Sequence, residues 1–240
     1  MTKVVNHGEM FVMQEEVSVS RENYLKAIIE AESEGLSVVP TLLSHWLNVS
    51  PPAVTKAIRR LREDGFVEDS KEGFLGLTQK GRQVAHRTAY RHYLVERMLS
   101  EVFGMEWHLI HAEAERIEHV ISPEFEKILV EKLGPDGACP HGNGVLPETP
   151  AQSKRRGLTL LSDAEEGARY VVAKLYERDN KLLEFLHKLG IGPDVSLLVL
   201  ERNYDDTLKL DLGGRSVVVG HSAASRIWVK PSSAPTKAKI

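Results

Sequence analysis

The sequence predicts a mainly α-helical chain that ends in a small β domain: a winged helix-turn-helix, a helical middle segment and a C-terminal barrel. Three observations carry this reading. Apolar residues between 20 and 61 recur at helical spacing and lead into two short strands. From Gln79 the helical period continues, broken only at Gly104 and at Ser122-Pro123. From Arg169 onward the pattern changes to short alternating segments. With 240 residues, 42% hydrophobic and 27% charged, the chain has the composition of a globular protein and room for two or three small domains.

Residues 1–17 are polar and are expected to be a flexible lead-in. In the first domain, 18–78, Ser20 is the expected N-cap of a helix running to about Glu34, with Tyr24, Leu25, Ile28 and Ile29 on its apolar face and Gly35 as its stop. Thr41 opens a short helix holding Leu42, Leu43, Trp46 and Leu47. Asn48-Val49 makes the turn. Ser50 caps a third helix, with Pro51 at the first helical position, where a missing N–H costs nothing. Val54, Ile58 and Leu61 are its buried face, and Asp64-Gly65 ends it. Phe66–Glu68 and Phe74–Leu77 then read as a hairpin.

The second domain, 79–150, is expected to hold helices from Gln79 to about Val102, from Trp107 to about Val120, and from Ser122-Pro123 to near Gly134. Pro135 to Pro150, rich in proline and glycine, is a loop. Residues 151–167 are polar and read as a linker. The third domain, 168–230, has strands at Arg169–Tyr176, Val195–Glu201, Thr207–Leu212, Ser216–Gly220 and Arg226–Val229, with a helix over Asn180–Leu189. Residues 231–240 form a polar, basic tail expected to be disordered.

Between Pro51 and Arg97 ten basic side chains stand against six acidic ones, although the whole chain has a net charge of −3. The local excess coincides with the winged helix and points to DNA. Ser50, Pro52, Thr55 and Lys56 open the candidate recognition helix, where side chains meet base edges, and Arg59 and Arg60 are candidate phosphate contacts. Cys139 is the only cysteine, which excludes an intrachain disulfide and fits a cytoplasmic protein. No apolar run approaches the roughly 18 residues of a membrane span, so no membrane partner is expected.

The strongest chemical signal is His111-Ala-Glu-Ala-Glu115-Arg-Ile-Glu118-His119. As a helix it places His111, Glu115, Glu118 and His119 on one face. Two imidazoles and two carboxylates can share a divalent cation. His92 and Glu96 repeat the spacing of four on the preceding helix. Taken singly these are ordinary surface pairs. Beside them, however, Ile110, Ala114, Ile117 and Ile121 form an apolar stripe, and carboxylates flanking a buried seam are costly unless partnered.

Arg59-Arg-Leu-Arg-Glu-Asp-Gly-Phe-Val, Tyr90-Arg-His-Tyr-Leu-Val-Glu-Arg-Met-Leu, Glu118-His-Val-Ile-Ser and Cys139-Pro-His-Gly-Asn-Gly-Val-Leu-Pro together resemble the diphtheria toxin repressor family of metal-dependent regulators, over about residues 18–230. The resemblance implies a helical dimerisation and metal-binding domain after the winged helix, and an SH3-like barrel at the C-terminus. It implies a primary metal site at Asn23, Glu115, Glu118 and His119, and a second at His92, Glu96 and His111, completed by Glu177 and Asn180. Iron-responsive members carry sulfur at the position of Glu115 and manganese-responsive members a carboxylate, which suits harder ions. Asn23 stands where iron sensors have Met and manganese sensors Asp. Lys26 replaces an acid of the smaller manganese sensors, which argues against a closely spaced binuclear site. Asn180 is a shorter amide than the family's usual Gln.

The resemblance thus implies a homodimeric repressor that binds a double-stranded DNA operator when loaded with divalent metal, Mn(II) before Fe(II), and that controls metal-uptake genes. An iron-activated repressor of the same fold is the alternative. A metalloenzyme is a reading of another class, because His/Glu clusters also serve hydrolases. The chain lacks HExxH and a Gly-rich phosphate loop, so no enzyme is expected. A metal-independent winged-helix protein whose His/Glu stripes are only salt bridges is the remaining reading.

Overall fold

The computed structural model describes residues 17–70, 73–135, 137–144 and 148–232. Residues 1–16 and 233–240, which carry most of the expected lead-in and tail, lie outside the described residues. Two compact units divide the chain: one ends at Ile29 and resumes over Val38–Ala85, and the other comprises Glu30–Ser37 and everything from His86.

Helix α1 (Val19–Ser33) starts before the expected cap. Its first turn closes on the Ser18 carbonyl, which accepts from the N–H groups of Arg21 and Glu22 at 2.8 and 3.0 Å, so Ser20 is a helical residue and not the cap. Gly35, at φ +72°, ends the helix as expected. Helices α2 (Pro40–Trp46) and α3 (Pro51–Glu63) flank a turn in which Asn48 takes φ +50°, a left-handed conformation asparagine tolerates. Val54, Ile58 and Leu61 of α3 are buried with Leu25, Ile28, Leu43 and Phe66. Strands β1 (Val67–Asp69) and β2 (Leu75–Leu77) pair antiparallel, with Val67 opposite Leu77, and form the wing. At Gly81, in the first turn of α4 (Gln79–Arg97), a Cβ would lie 1.9 Å from the Phe66 carbonyl oxygen, so only glycine lets the helix begin against the wing.

In the second unit α4 runs on as a π-helical turn, Met98–Val102, before Gly104 breaks it at φ +64°. Helix α5 (Trp107–Ile117) stops short of the expected Val120. Glu118 caps it with helical backbone angles (φ −53°, ψ −28°), so the His/Glu face continues one residue past the hydrogen-bonded helix. Helix α6 (Pro123–Leu133) is capped by Ser122, whose hydroxyl accepts from the Phe125 N–H at 3.1 Å. Leu94, Met98, Ile110, Ala114, Ile121 and Leu129 form the core of these helices, which confirms the apolar stripe beside the candidate ligands. Buried Arg97 fastens α4 to the end of α6 by donating to the carbonyls of Leu133 and Gly134 at 2.5 and 3.1 Å.

The linker expected over 151–167 is structured instead. Helix α7 (Pro150–Arg155) has a capping box between Thr149 and Gln152, and β3 (Thr159–Leu160) joins the C-terminal sheet. Polar composition hid this: the cap satisfies the helix start, and two well-spaced apolar residues, Leu158 and Leu161, supply the buried anchors. Strands β4 (Arg169–Leu175), β5 (Ser196–Arg202), β6 (Leu208–Asp211), β7 (Ser216–Val219) and β8 (Ile227–Pro231) complete an antiparallel sheet of order β3-β8-β4-β5-β6-β7. Bulges between Val172 and Lys174 and between Val199 and Glu201 bend β4 and β5. Helix α8 (Asn180–Leu189) packs Leu183 and Leu186 into the sheet's core with Val172, Leu197, Leu208 and Val229, and the short α9 (His221–Ala224) precedes β8. No helix among the described residues is long and apolar enough to cross a membrane.

Candidate metal centre

The site is built where α4, α5 and the end of β4 meet in the second unit. His92 and Glu96 sit one turn apart on α4, and α5 brings His111 against them, all three buried. His92 Nε2 lies 3.1 Å from Glu96 Oε1 and 3.1 Å from His111 Nδ1, and His111 Nδ1 lies 3.2 Å from Glu96 Oε1. Glu177, just beyond β4, completes a group whose donor atoms lie within 4.8 Å of one another. Of the residues expected at the second site, His92, Glu96, His111 and Glu177 are therefore brought together. Asn180 is exposed at the first position of α8 and does not line the cavity around Glu96 and Glu177.

Two residues outside the expected ligand set, Cys139 and His141, enter the same place. Glu96, Cys139, His141 and Glu177 form a second group with donor atoms within 4.8 Å of one another. His141 is fully buried, with Nδ1 at 3.4 Å from Glu96 Oε1 and 3.5 Å from Glu177 Oε2. Its Nε2 donates to the Trp107 carbonyl at 2.9 Å, which fixes the ring and aims Nδ1 at the carboxylates. Cys139 Sγ lies 3.7 Å from Glu177 Oε2 and 3.8 Å from His141 Nδ1. The signal was in the sequence: Cys-Pro-His places a sulfur and an imidazole two residues apart on a glycine-rich loop, a mixed donor pair suited to transition metals.

Local sequence explains why that loop docks. The Leu175 N–H donates to the His141 carbonyl at 2.9 Å, and the Asn143 side chain donates to the Leu175 carbonyl at 3.2 Å and to Glu177 at 2.5 Å. Gly142 takes φ +82°, and a Cβ there would fall 2.0 Å from the Ala173 carbonyl oxygen. Glycine alone permits so close an approach.

The electrostatics match a cation site. Burial would raise the Glu96 carboxyl, yet the charges of His92 and His141 outweigh it and hold it well below the ordinary carboxylate range. Burial opposes the charged form of His141, but Glu96 raises it above the usual imidazole value. Burial, with Glu96 and Glu177 beside it, pushes the Cys139 thiol well up. Protons thus balance a buried carboxylate whose surroundings equally suit a divalent ion, and the oxygen, nitrogen and sulfur donors present fit one.

Residues expected at the primary site are arranged differently. Glu118 is buried and bridges two histidines, with Oε2 2.5 Å from His92 Nδ1 and Oε1 3.2 Å from His119 Nε2. Glu115 is exposed, with Oε1 3.6 Å from His111 Nε2. Asn23 lies half-buried on α1.

On α3, Pro52, Thr55, Lys56, Arg59 and Arg60 are exposed on the face opposite Val54, Ile58 and Leu61. Ser50 precedes them, and its hydroxyl makes no capping bond. The Thr55 hydroxyl donates back to the Pro51 carbonyl at 3.0 Å, and the Arg59 guanidinium is 3.8 Å from Glu63.

Three family models match successive stretches of the chain. Residues 16–75 match the iron dependent repressor N-terminal DNA binding domain, 78–146 its metal binding and dimerisation domain, and 159–231 the FeoA domain. The chain is 31% identical over 222 residues to the iron-dependent repressor IdeR of Mycobacterium tuberculosis strain H37Rv, covering 87% of this chain and 96% of that one. It is 37% identical over 124 residues to the diphtheria toxin repressor of Corynebacterium glutamicum, covering 52% and 54% of the two chains. A solved manganese-dependent transcriptional repressor in complex with manganese superposes with a TM-score of 0.76 at 29% identity, covering 88% of this chain and all of the other. The DNA-binding helices, the buried His/Glu centre and the C-terminal sheet lie in one chain and match along its length, so the protein belongs to the diphtheria toxin repressor family of metal-dependent, DNA-binding transcriptional repressors, in its three-domain form.

Proposed function

We propose that this chain is a manganese-activated repressor of metal-uptake genes, acting as a homodimer on a double-stranded operator. The observation that carries the choice of metal is the donor set Glu115, Glu118 and His119, two carboxylates and an imidazole with no sulfur, at the end of α5. Oxygen-rich sets suit Mn(II). The family likeness adds Asn23 as a neutral oxygen donor to this primary site. The second site draws on Glu96 and Glu177, with His92 and His111 or with Cys139 and His141 as its remaining donors. The bound ion supplies positive charge to a place that protons otherwise hold. A dimeric winged-helix protein must set its recognition helices about one DNA turn, roughly 34 Å, apart, and metal at the primary site selects the state that does so.

An iron-activated repressor is the second reading, favoured by the likeness to IdeR over 96% of that protein. DNA binding measured in separate anaerobic Mn(II) and Fe(II) titrations distinguishes the two. The proposal expects half-maximal binding at lower free Mn(II) than other members with sulfur at this position require, and Glu115→Cys to shift the order of potency toward Fe(II). An unchanged order in the variant contradicts a selecting role for Glu115.

A further inference from the structure

A third group of donors lies apart from the centre described above. Glu106, the cap residue before α5, His108 in its first turn, and His187 near the end of α8 each offer one donor atom, and these lie within 4.8 Å of one another. The two imidazoles stack with ring centres 3.8 Å apart and planes 20° from parallel. Trp107 meets both rings edge-on, at 5.8 Å from His108 and 5.9 Å from His187, and its indole rests against Gly192. A packing role accounts for the stack but leaves one atom unexplained. His108 Nδ1 is buried and has no hydrogen-bond partner. An orphaned imidazole nitrogen is costly, and an ion is one of the few partners that satisfies it beside a second imidazole and a carboxylate.

We propose that Glu106, His108 and His187 form a third metal site, for a borderline divalent ion of the zinc class, which clasps α8 of the sheet domain to the start of α5. Two imidazole nitrogens and one carboxylate oxygen are the donors such ions favour over the oxygen-rich sets of manganese. Donors around tetrahedral zinc stand about 3.4 Å apart, given bonds of about 2.0–2.1 Å. The present spread closes to that by rotation of Glu106 and His187, whose side chains are exposed. The stacked rings must turn about their Cβ–Cγ bonds to converge, so loading the site unstacks them. Burial and the neighbouring His187 both lower the pKa of His108, which keeps its ring neutral and ready to coordinate at neutral pH. The nearby cation, Lys188, is engaged by Glu184 at 2.6 Å.

The test counts Zn(II) bound by the full-length protein, using zinc alone as the probe in competition with a chromophoric chelator of micromolar affinity. His187→Gln is the main variant because the side chain is exposed and lies outside the centre at Glu96. The proposal expects His187→Gln and Glu106→Gln each to lose one zinc equivalent relative to wild type, with an unchanged circular dichroism spectrum. Whatever the other sites hold, only this difference is read. In wild type the ¹⁵N resonance of His108 Nδ1, the nitrogen without a partner, should shift on loading that equivalent, and in His187→Gln it should not. Equal zinc counts in wild type and both variants overturn the proposal. So does a difference between wild type and variants that disappears in the presence of the chelator, which marks adventitious binding at surface histidines.

Discussion

Cys139 shows what a single side chain does to the pH dependence of the centre. Its thiol is pushed up by burial and by two carboxylates, so near neutral pH it carries a proton that coordination must expel. At His141 burial opposes the charged form, but Glu96 outweighs it, so the ring gives up its proton less readily than an ordinary imidazole. Metal binding at Glu96, Cys139, His141 and Glu177 is therefore expected to release protons and to tighten as pH rises. Calorimetry in buffers of different ionisation enthalpy measures the number released. Cys139→Ser should release about one proton fewer near pH 7, because a serine hydroxyl keeps its proton. The same count in both proteins means that sulfur is not a ligand.

At the scale of helices, His92 joins the two proposed metal sites. One ring nitrogen faces Glu96 and His111, and the other meets Glu118 at 2.5 Å. An outer hydrogen bond of this kind typically changes metal affinity about 10–100-fold. His92→Gln should therefore weaken the primary site by that order and, because it removes a proposed donor, the second site at least as much, whereas Glu177→Gln should weaken the second site alone. Two-site titrations check this, and an effect of His92→Gln confined to one site contradicts the link. On α3 the exposed guanidinium of Arg60 is expected to contact phosphate. Arg60→Ala should weaken binding to all duplexes about equally and reduce the slope of log affinity against log salt by about 1. A change in sequence preference would mark it as a base reader instead.

Periodicity made the helices legible, including the apolar stripe Ile110, Ala114 and Ile121 that seats the His/Glu face. It failed where structure depends on contacts distant in sequence. Helix α7 and β3 were invisible because the capping box is short and β3 exists only by pairing with β8. His141 escaped because its role rests on a loop that folds back onto β4, with Gly142 pressed against the Ala173 carbonyl. Glu177 came through the family likeness, since nothing local ties a residue at a strand end to a histidine on α4.

For the whole molecule, metal bound in one part of the chain controls DNA binding by another. Fluorescence anisotropy on a duplex selected from a random pool by the manganese-loaded protein tests this most directly, with wild type and His119→Ala compared in chelator and in Mn(II). Wild type should bind weakly in chelator and tightly in Mn(II). His119→Ala, with a normal circular dichroism spectrum, should stay weak in both because it lacks an imidazole that neighbouring side chains do not replace. Binding by wild type that is unaffected by chelator, or a variant that responds to Mn(II) like wild type, would contradict the account.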